Sequence, residues 1–145
     1  MNASRRQARE WVVQMLAAAD LDPGKTPEEV VADFWAMMPT LEESGGERPR
    51  GKIKAFAEER VTGVLSNLAE IDAKLGEILV VSGWELQRLG TVERAVLRAG
   101  AWELSNTDIP QGVVINEAID IVNWFSSPRS CSLVNGVLDK YAKSL

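Results

Sequence analysis

Thr91-Val-Glu-Arg-Ala-Val-Leu-Arg-Ala-Gly-Ala-Trp-Glu-Leu-Ser-Asn106 carries apolar side chains around most of a helical circumference: Val92, Ala95, Val96, Leu97, Ala99, Ala101, Trp102 and Leu104. A helix at a protein surface shows one apolar stripe, whereas one that is apolar nearly all round is enclosed by others. The segment is therefore predicted to be the central helix of an all-α domain, capped by Thr91, with Val96, Ala99 and Trp102 among the most buried residues. The polar residues on it, Arg94 and Arg98 with Glu93 and Glu103, read as ordinary ion pairs on its one wet stripe, where such pairs contribute little.

Helical spacing continues on both sides. Downstream, Pro110 opens a helix with Val113, Val114, Ala118, Ile121, Val122 and Phe125 inward. Pro128 precedes a last helix carrying Leu133, Val134, Val137, Leu138 and Tyr141. Within it Asn135-Gly136 has the form of a hairpin turn, but both flanks are helical, so a helix is predicted through it and close helix packing is the expected reason for the glycine. Upstream, Gly83 and Gly90 bracket a short connector with Trp84, Leu86 and Leu89. Asn67-Leu-Ala-Glu70 is cap-like and divides a segment with Ile53, Phe56, Ala57, Val61 and Val64 from one with Ile71, Leu75, Ile78 and Leu79. Residues Pro39 to Gly51 read as an exposed Gly/Pro-rich loop. Thr26-Pro-Glu-Glu29 and Ser4-Arg-Arg-Gln7 are capping boxes that start two further helices. About seven helices in a compact bundle are predicted, with no internal repeat.

The chain has 145 residues, 46% of them hydrophobic and 26% charged, with a net charge of −5, one cysteine and no histidine. That is the balance of a folded globular protein. No apolar run approaches the ~20 residues of a membrane span, the Arg-rich start does not read as a signal peptide, and a lone Cys131 forms no internal disulfide. A cytoplasmic protein is expected. Without histidine, a Cys-x-x-Cys or a phosphate-cradling glycine loop, the usual acid–base, metal and nucleotide motifs are missing, and neither an enzyme nor a cofactor is expected.

Positive charge is local. Arg5, Arg6 and Arg9 cluster at the start, and Arg48, Arg50, Lys52 and Lys54 further on. Cations at a helix N-terminus oppose the macrodipole, so helix stability gives no reason for the first cluster. On the residues alone, an RNA phosphate contact and an incidental solvated start are equally served. The second cluster reads as a solvated loop. Trp11, Trp35, Trp84, Trp102 and Trp124 are spread over different helices and read as core and partner surface instead of one stacking platform.

Three blocks carry a resemblance to the NusB family: Ser-Arg-Arg-Gln-Ala-Arg-Glu at Ser4 to Glu10, leading into Val13-Gln-Met-Leu16; Val92-Glu-Arg-Ala-Val-Leu-Arg98 with Trp102-Glu-Leu104; and Ile109-Pro110, Val114-Ile-Asn-Glu-Ala118 and Val134-Asn-Gly-Val-Leu-Asp139. Together they frame nearly the whole chain; Leu21 to Gly51 matches only as filler. The resemblance implies a single domain over residues 1–145, all-helical, of two packed helical subdomains. It implies a non-catalytic role in transcription antitermination, binding the boxA element of ribosomal RNA transcripts with a small-subunit ribosomal protein, NusE, in a complex on RNA polymerase. Some members form homodimers.

The resemblance also tips the Arg5, Arg6, Arg9 cluster toward RNA. It implies that Asn116, Glu117 and Asn135 are structural or partner-facing polar groups, buried ones tying helices together. Many members carry a basic and an aromatic residue just before Val-Asn-Gly, suited to phosphate contact and base stacking. This chain has Ser132 and Leu133 there, at the end of an expected loop from Ser126 to Ser132, with Arg129 and Phe125 nearby as the expected charge and stacking face. A second departure is Ala17, where an aromatic is common. Two other readings remain: a homodimeric helical scaffold with little RNA affinity, and the RNA-binding domain of a ribosomal RNA cytosine methyltransferase, disfavoured by the chain's start and its end just past Leu138-Asp139.

Overall fold

The computed structural model describes residues 2–37, 51–125 and 127–145. They fall into two compact units, Met1–Ser66 and Asn67–Leu145. Among the described residues there are seven α-helices, one short 3-10 helix and no strand, and no helix is long and apolar enough to cross a membrane.

The first unit contains α1 (Asn2–Leu21), α2 (Pro27–Ala36) and α3 (Gly51–Ser66). α1 packs along α3, and α2 touches both. Ala8, Val12, Met15 and Leu16 of α1 meet a core to which α3 gives Ala57, Val61 and Val64, the i, i+3/i+4 spacing that puts one stripe of each helix inward. The α2 capping box forms as the sequence dictates: the Glu29 amide donates to Thr26 Oγ1 (3.2 Å), and the Thr26 amide donates to Glu29 Oε1 (2.9 Å). The box read at Ser4 does not start α1, because the helix already runs from Asn2. Gln7 lies inside it, and its Nε2 donates to Glu10 instead (3.2 Å). The loop read over Pro39 to Gly51 lies outside the described residues except for Gly51, which opens α3.

The second unit contains α4 (Leu68–Val81), the 3-10 turn Leu86–Arg88, α5 (Thr91–Asn106), α6 (Gln111–Phe125) and α7 (Pro128–Lys143). α5 is the central helix, in contact with α4, α6 and α7. Val96, Leu97 and Ala101 are essentially sealed and Trp102 is buried; Ala99 is only half-buried, a correction to its expected place in the core. The break at Asn67 falls between α3 and α4, although Asn67 makes no side-chain cap. At α5 the capping residue is Gly90 instead of Thr91: its amide donates to Glu93 Oε1 (2.7 Å).

Three further expectations are corrected. Val113 and Phe125 are exposed, and Ile115 takes the inward place on α6. α7 begins at Pro128, so Arg129 to Ser132 are helical and not loop; a proline at the first helical position lacks only an amide that has no partner there. Gly136 has nothing within 4 Å of where a Cβ would stand, so close packing does not explain it. The close approach is at Gly100, where a Cβ would meet Leu138 Cδ1 at 2.8 Å.

Candidate nucleic-acid interface

In the first unit the N-terminal arginines are organised by a residue the sequence reading used only as core. The Phe56 ring on α3 has the Arg60 guanidinium 3.5 Å from its centroid, Arg9 at 5.3 Å and Arg5 at 5.5 Å. Each cation meets the electron-rich ring at a range where the attraction contributes ~0.5–1 kcal/mol at exposed sites, which offsets the unfavourable charge at the start of α1. Arg60 is buried, its Nη1 donating to the Phe56 carbonyl (3.3 Å) and approaching Glu59 (3.4 Å).

The cluster is therefore graded by exposure. Arg5 and Arg6 are exposed, whereas Arg9 is 7% exposed, its charge shared with the ring beneath it. Arg5 and Arg9, one turn apart, are brought together over Phe56. Arg6, around the helix barrel, is not over the ring. Phe56 and Arg60 were missed because each fits an ordinary α3 pattern. The available signal was their i, i+4 spacing, which places a cation over a ring on one helix face. Of the second basic cluster, Arg48 and Arg50 lie outside the described residues. Lys54 stands over the Trp35 ring at 5.6 Å, and that indole Nε1 donates to Glu58 at 2.7 Å.

In the second unit, Phe125 ends α6 and is 46% exposed, beside Trp124 at 77%. Arg129 lies exposed in the first turn of α7. An aromatic face and a cation on either side of the α6–α7 connection match the chemistry of a base and its phosphate. Ser132 is exposed and Leu133 half-buried.

Of the polar residues expected to be structural or partner-facing, Asn116 and Asn135 are exposed and Glu117 is half-buried. Both asparagines point outward because the inward positions of their helices are filled by Val114, Ile115 and Ala118, and by Val134, Val137 and Leu138. The helix-tying role falls to Arg98, read from the sequence as a weak surface pair. It is 5% exposed and forks onto Asp72 of α4 with two hydrogen bonds of 2.9 and 2.8 Å. Arg94 also serves the fold: its Nη1 donates to the carbonyls of Gln87 (3.2 Å) and Leu89, holding the 3-10 turn against α5. No group of three or more potential metal ligands occurs among the described residues.

Residues 6–143 match the NusB family model. The transcription antitermination protein NusB of Sorangium cellulosum is 38% identical over 98% of this chain and 94% of its own. Among solved structures, T. maritima NusB superposes with a TM-score of 0.75 at 30% identity, covering 96% of this chain and 90% of that one. A crystal structure of the antitermination factors NusB and NusE in complex with dsRNA superposes with a TM-score of 0.80 at 26% identity, with 100% of each chain covered.

Proposed function

Because the chain belongs to the NusB family of non-catalytic transcription antitermination proteins, we propose that it binds boxA-type RNA of ribosomal RNA transcripts together with the ribosomal protein NusE. In this reading it acts in the cytoplasm, within an assembly on RNA polymerase. The observation that carries it is the gathering of Arg5, Arg9 and Arg60 on the Phe56 ring, with Arg6 on the same turn of α1. A protein of net charge −5 that concentrates cations against its own helix dipole has placed them for an anion outside itself, and phosphate contacts set affinity for nucleic acid. Arg5 and Arg6 are the outward contacts; Arg9 and Arg60 hold the ring and set the local field. Phe125 and Arg129 supply stacking and charge in the second unit. The related complex that contains NusE and dsRNA supports both partners. Asn116, Glu117 and Asn135 fit a partner-facing role better than an internal one.

With few outward cations, the protein alone neutralises few phosphates and binds weakly. NusE adds contacts of its own and strengthens binding without any change in this chain. Titration of labelled boxA RNA with and without NusE tests this: weak binding alone and clear tightening with the partner are expected. RNA binding in neither case would leave the homodimeric scaffold as the better account. Tight binding without the partner at physiological salt would contradict the cooperative part.

A further inference from the structure

In the first unit an apolar cleft of about 130 Å³ opens between α1 and α2, walled by Met15, Ala18 and Ala19 on one side and by Val30, Phe34 and Met37 on the other. We propose that it is a docking site for a cationic protein segment, which seats one apolar side chain between the two helices and sets its positive charge on the carboxylates at the mouth. The cleft shares no residue with the cation cluster on Phe56, and the proposal stands without the RNA-binding reading above.

The cleft follows from the sequence of the two helices. α1 turns Met15, Ala18 and Ala19 toward α2, and α2 answers with Val30, Asp33, Phe34 and Met37, the i, i+3, i+4 and i+7 positions of one face. Facing helices interlock through their side chains, but two of the three α1 residues are alanines, too short to reach across. The volume left is close to the ~150 Å³ of an apolar cavity that accepts one benzene molecule, so a single leucine or phenylalanine side chain fills it. Met15 is sealed from solvent at the floor, whereas Ala18 and Met37 are exposed at the rim. Methionine adapts its shape to an incoming apolar group.

Charge at the mouth selects the partner. Lys25, the only cation among the described lining residues, meets Asp33 at 2.6 Å and Asp22 at 3.8 Å. Its pKa is raised, first by the hydrogen bond to Asp33 and by that carboxylate's charge, with Asp22 and Glu29 adding. One ammonium thus faces three carboxylates, which leaves two negative charges uncompensated. All four groups are exposed, so a partner's cations reach them without disturbing buried structure. Complementary charge of this kind steers and orients a partner, and an anionic segment would be repelled at the same place.

The test uses the full chain, 15N-labelled and carrying 13C-methyl methionine, titrated with a capped peptide in which one leucine stands between two pairs of lysines. Controls are the same peptide with alanine for leucine, and one with glutamates for the lysines. The lysine–leucine peptide should shift the Met15 and Met37 methyl signals and the Ala18 amide to saturation, with an affinity that falls as salt rises. Alanine for leucine should weaken it about tenfold, the lower range for one buried aliphatic side chain. Ala18→Leu fills the cleft from an exposed helical position, and should abolish the shifts while keeping the parent's melting temperature. Asp33→Asn should weaken binding about two- to fivefold, the range of one exposed ion pair.

Met15 and Met37 signals unmoved at millimolar peptide would overturn the proposal, as would a folded Ala18→Leu variant that binds as the parent does. So would equal shifts from the glutamate peptide, which would mark a cleft indifferent to charge. Shifts that grow with protein concentration alone would assign the face to a second copy of the chain, and shifts produced by boxA RNA in place of the peptide would assign it to nucleic acid; either result overturns the proposal. If the peptide binds and boxA RNA does not, the RNA-binding reading falls and this site stands.

Discussion

The Arg98 guanidinium grips the Asp72 carboxylate with two nearly parallel hydrogen bonds, Nε to Oδ1 at 2.9 Å and Nη2 to Oδ2 at 2.8 Å, and so fastens α5 to α4. The Arg98 side chain is 6% exposed and that of Asp72 23%. Removing the carboxylate takes two hydrogen bonds and a counter-charge from a cation with little access to water. Asp72→Ala should therefore cost about 3 kcal/mol, the low end for a broken buried pair because Asp72 is partly wet. Chemical denaturation measures this, and a loss below about 1 kcal/mol, the range of exposed pairs, would show that water replaces the carboxylate freely.

Two helical glycines should respond to alanine with opposite signs. At Gly100 a Cβ meets the fully buried Leu138 side chain at 2.8 and 3.1 Å. Overpacking of that kind costs ~1–3 kcal/mol, which exceeds the gain of ~1 kcal/mol in helix propensity, so a net loss in melting temperature is expected. Gly136 faces open space within 4 Å, and Gly136→Ala should stabilise by up to about 1 kcal/mol. Equal shifts of the same sign would contradict the packing described.

The α2 capping box makes a pH prediction. The Thr26 backbone amide, and then its side chain, hold the Glu29 carboxyl below its usual value. Its folded pKa being depressed, the stabilisation is complete above the ordinary carboxylate range and is lost as pH falls through the depressed value. Thr26→Ala should move the Glu29 titration part of the way back up, since the amide bond remains. It should also weaken α2 by about 1 kcal/mol, as loss of an N-cap does. NMR titration of Glu29 reads the first, thermal melting the second, and an unmoved Glu29 titration would contradict the cap.

The fold was legible where one physical rule dominated. The all-round apolar segment from Thr91 had to be enclosed, and Thr26-Pro-Glu-Glu29 had to cap. Periodicity, however, reports a direction on a helix and not what stands opposite. Arg98 occupies a polar position that faces Asp72 instead of water, and no local pattern reveals a partner 26 residues away. Phe125 and Val113 follow the apolar pattern of α6, yet among the described residues both stay exposed. Gly136 attracted a packing explanation that belongs to Gly100, because a glycine's neighbours are set by tertiary contact. In the candidate site the cations at Arg5, Arg6 and Arg9 were visible from charge placed against the helix dipole. Their support on Phe56 was not, since it comes from a helix more than forty residues away.

The same geometry divides the arginines for experiment. Arg9 is largely buried over Phe56, so its removal tests packing as well as binding, whereas Arg5 and Arg6 are exposed. The most direct measurement is the salt dependence of boxA RNA affinity for an Arg5→Ala, Arg6→Ala double variant, with NusE present. Each lost phosphate contact removes ~0.7 from the log–log slope for a single strand. The double variant should therefore lose about 1.4 units of slope and keep its melting temperature. A variant that binds with the parent's slope and affinity would contradict the assignment of this cluster to RNA.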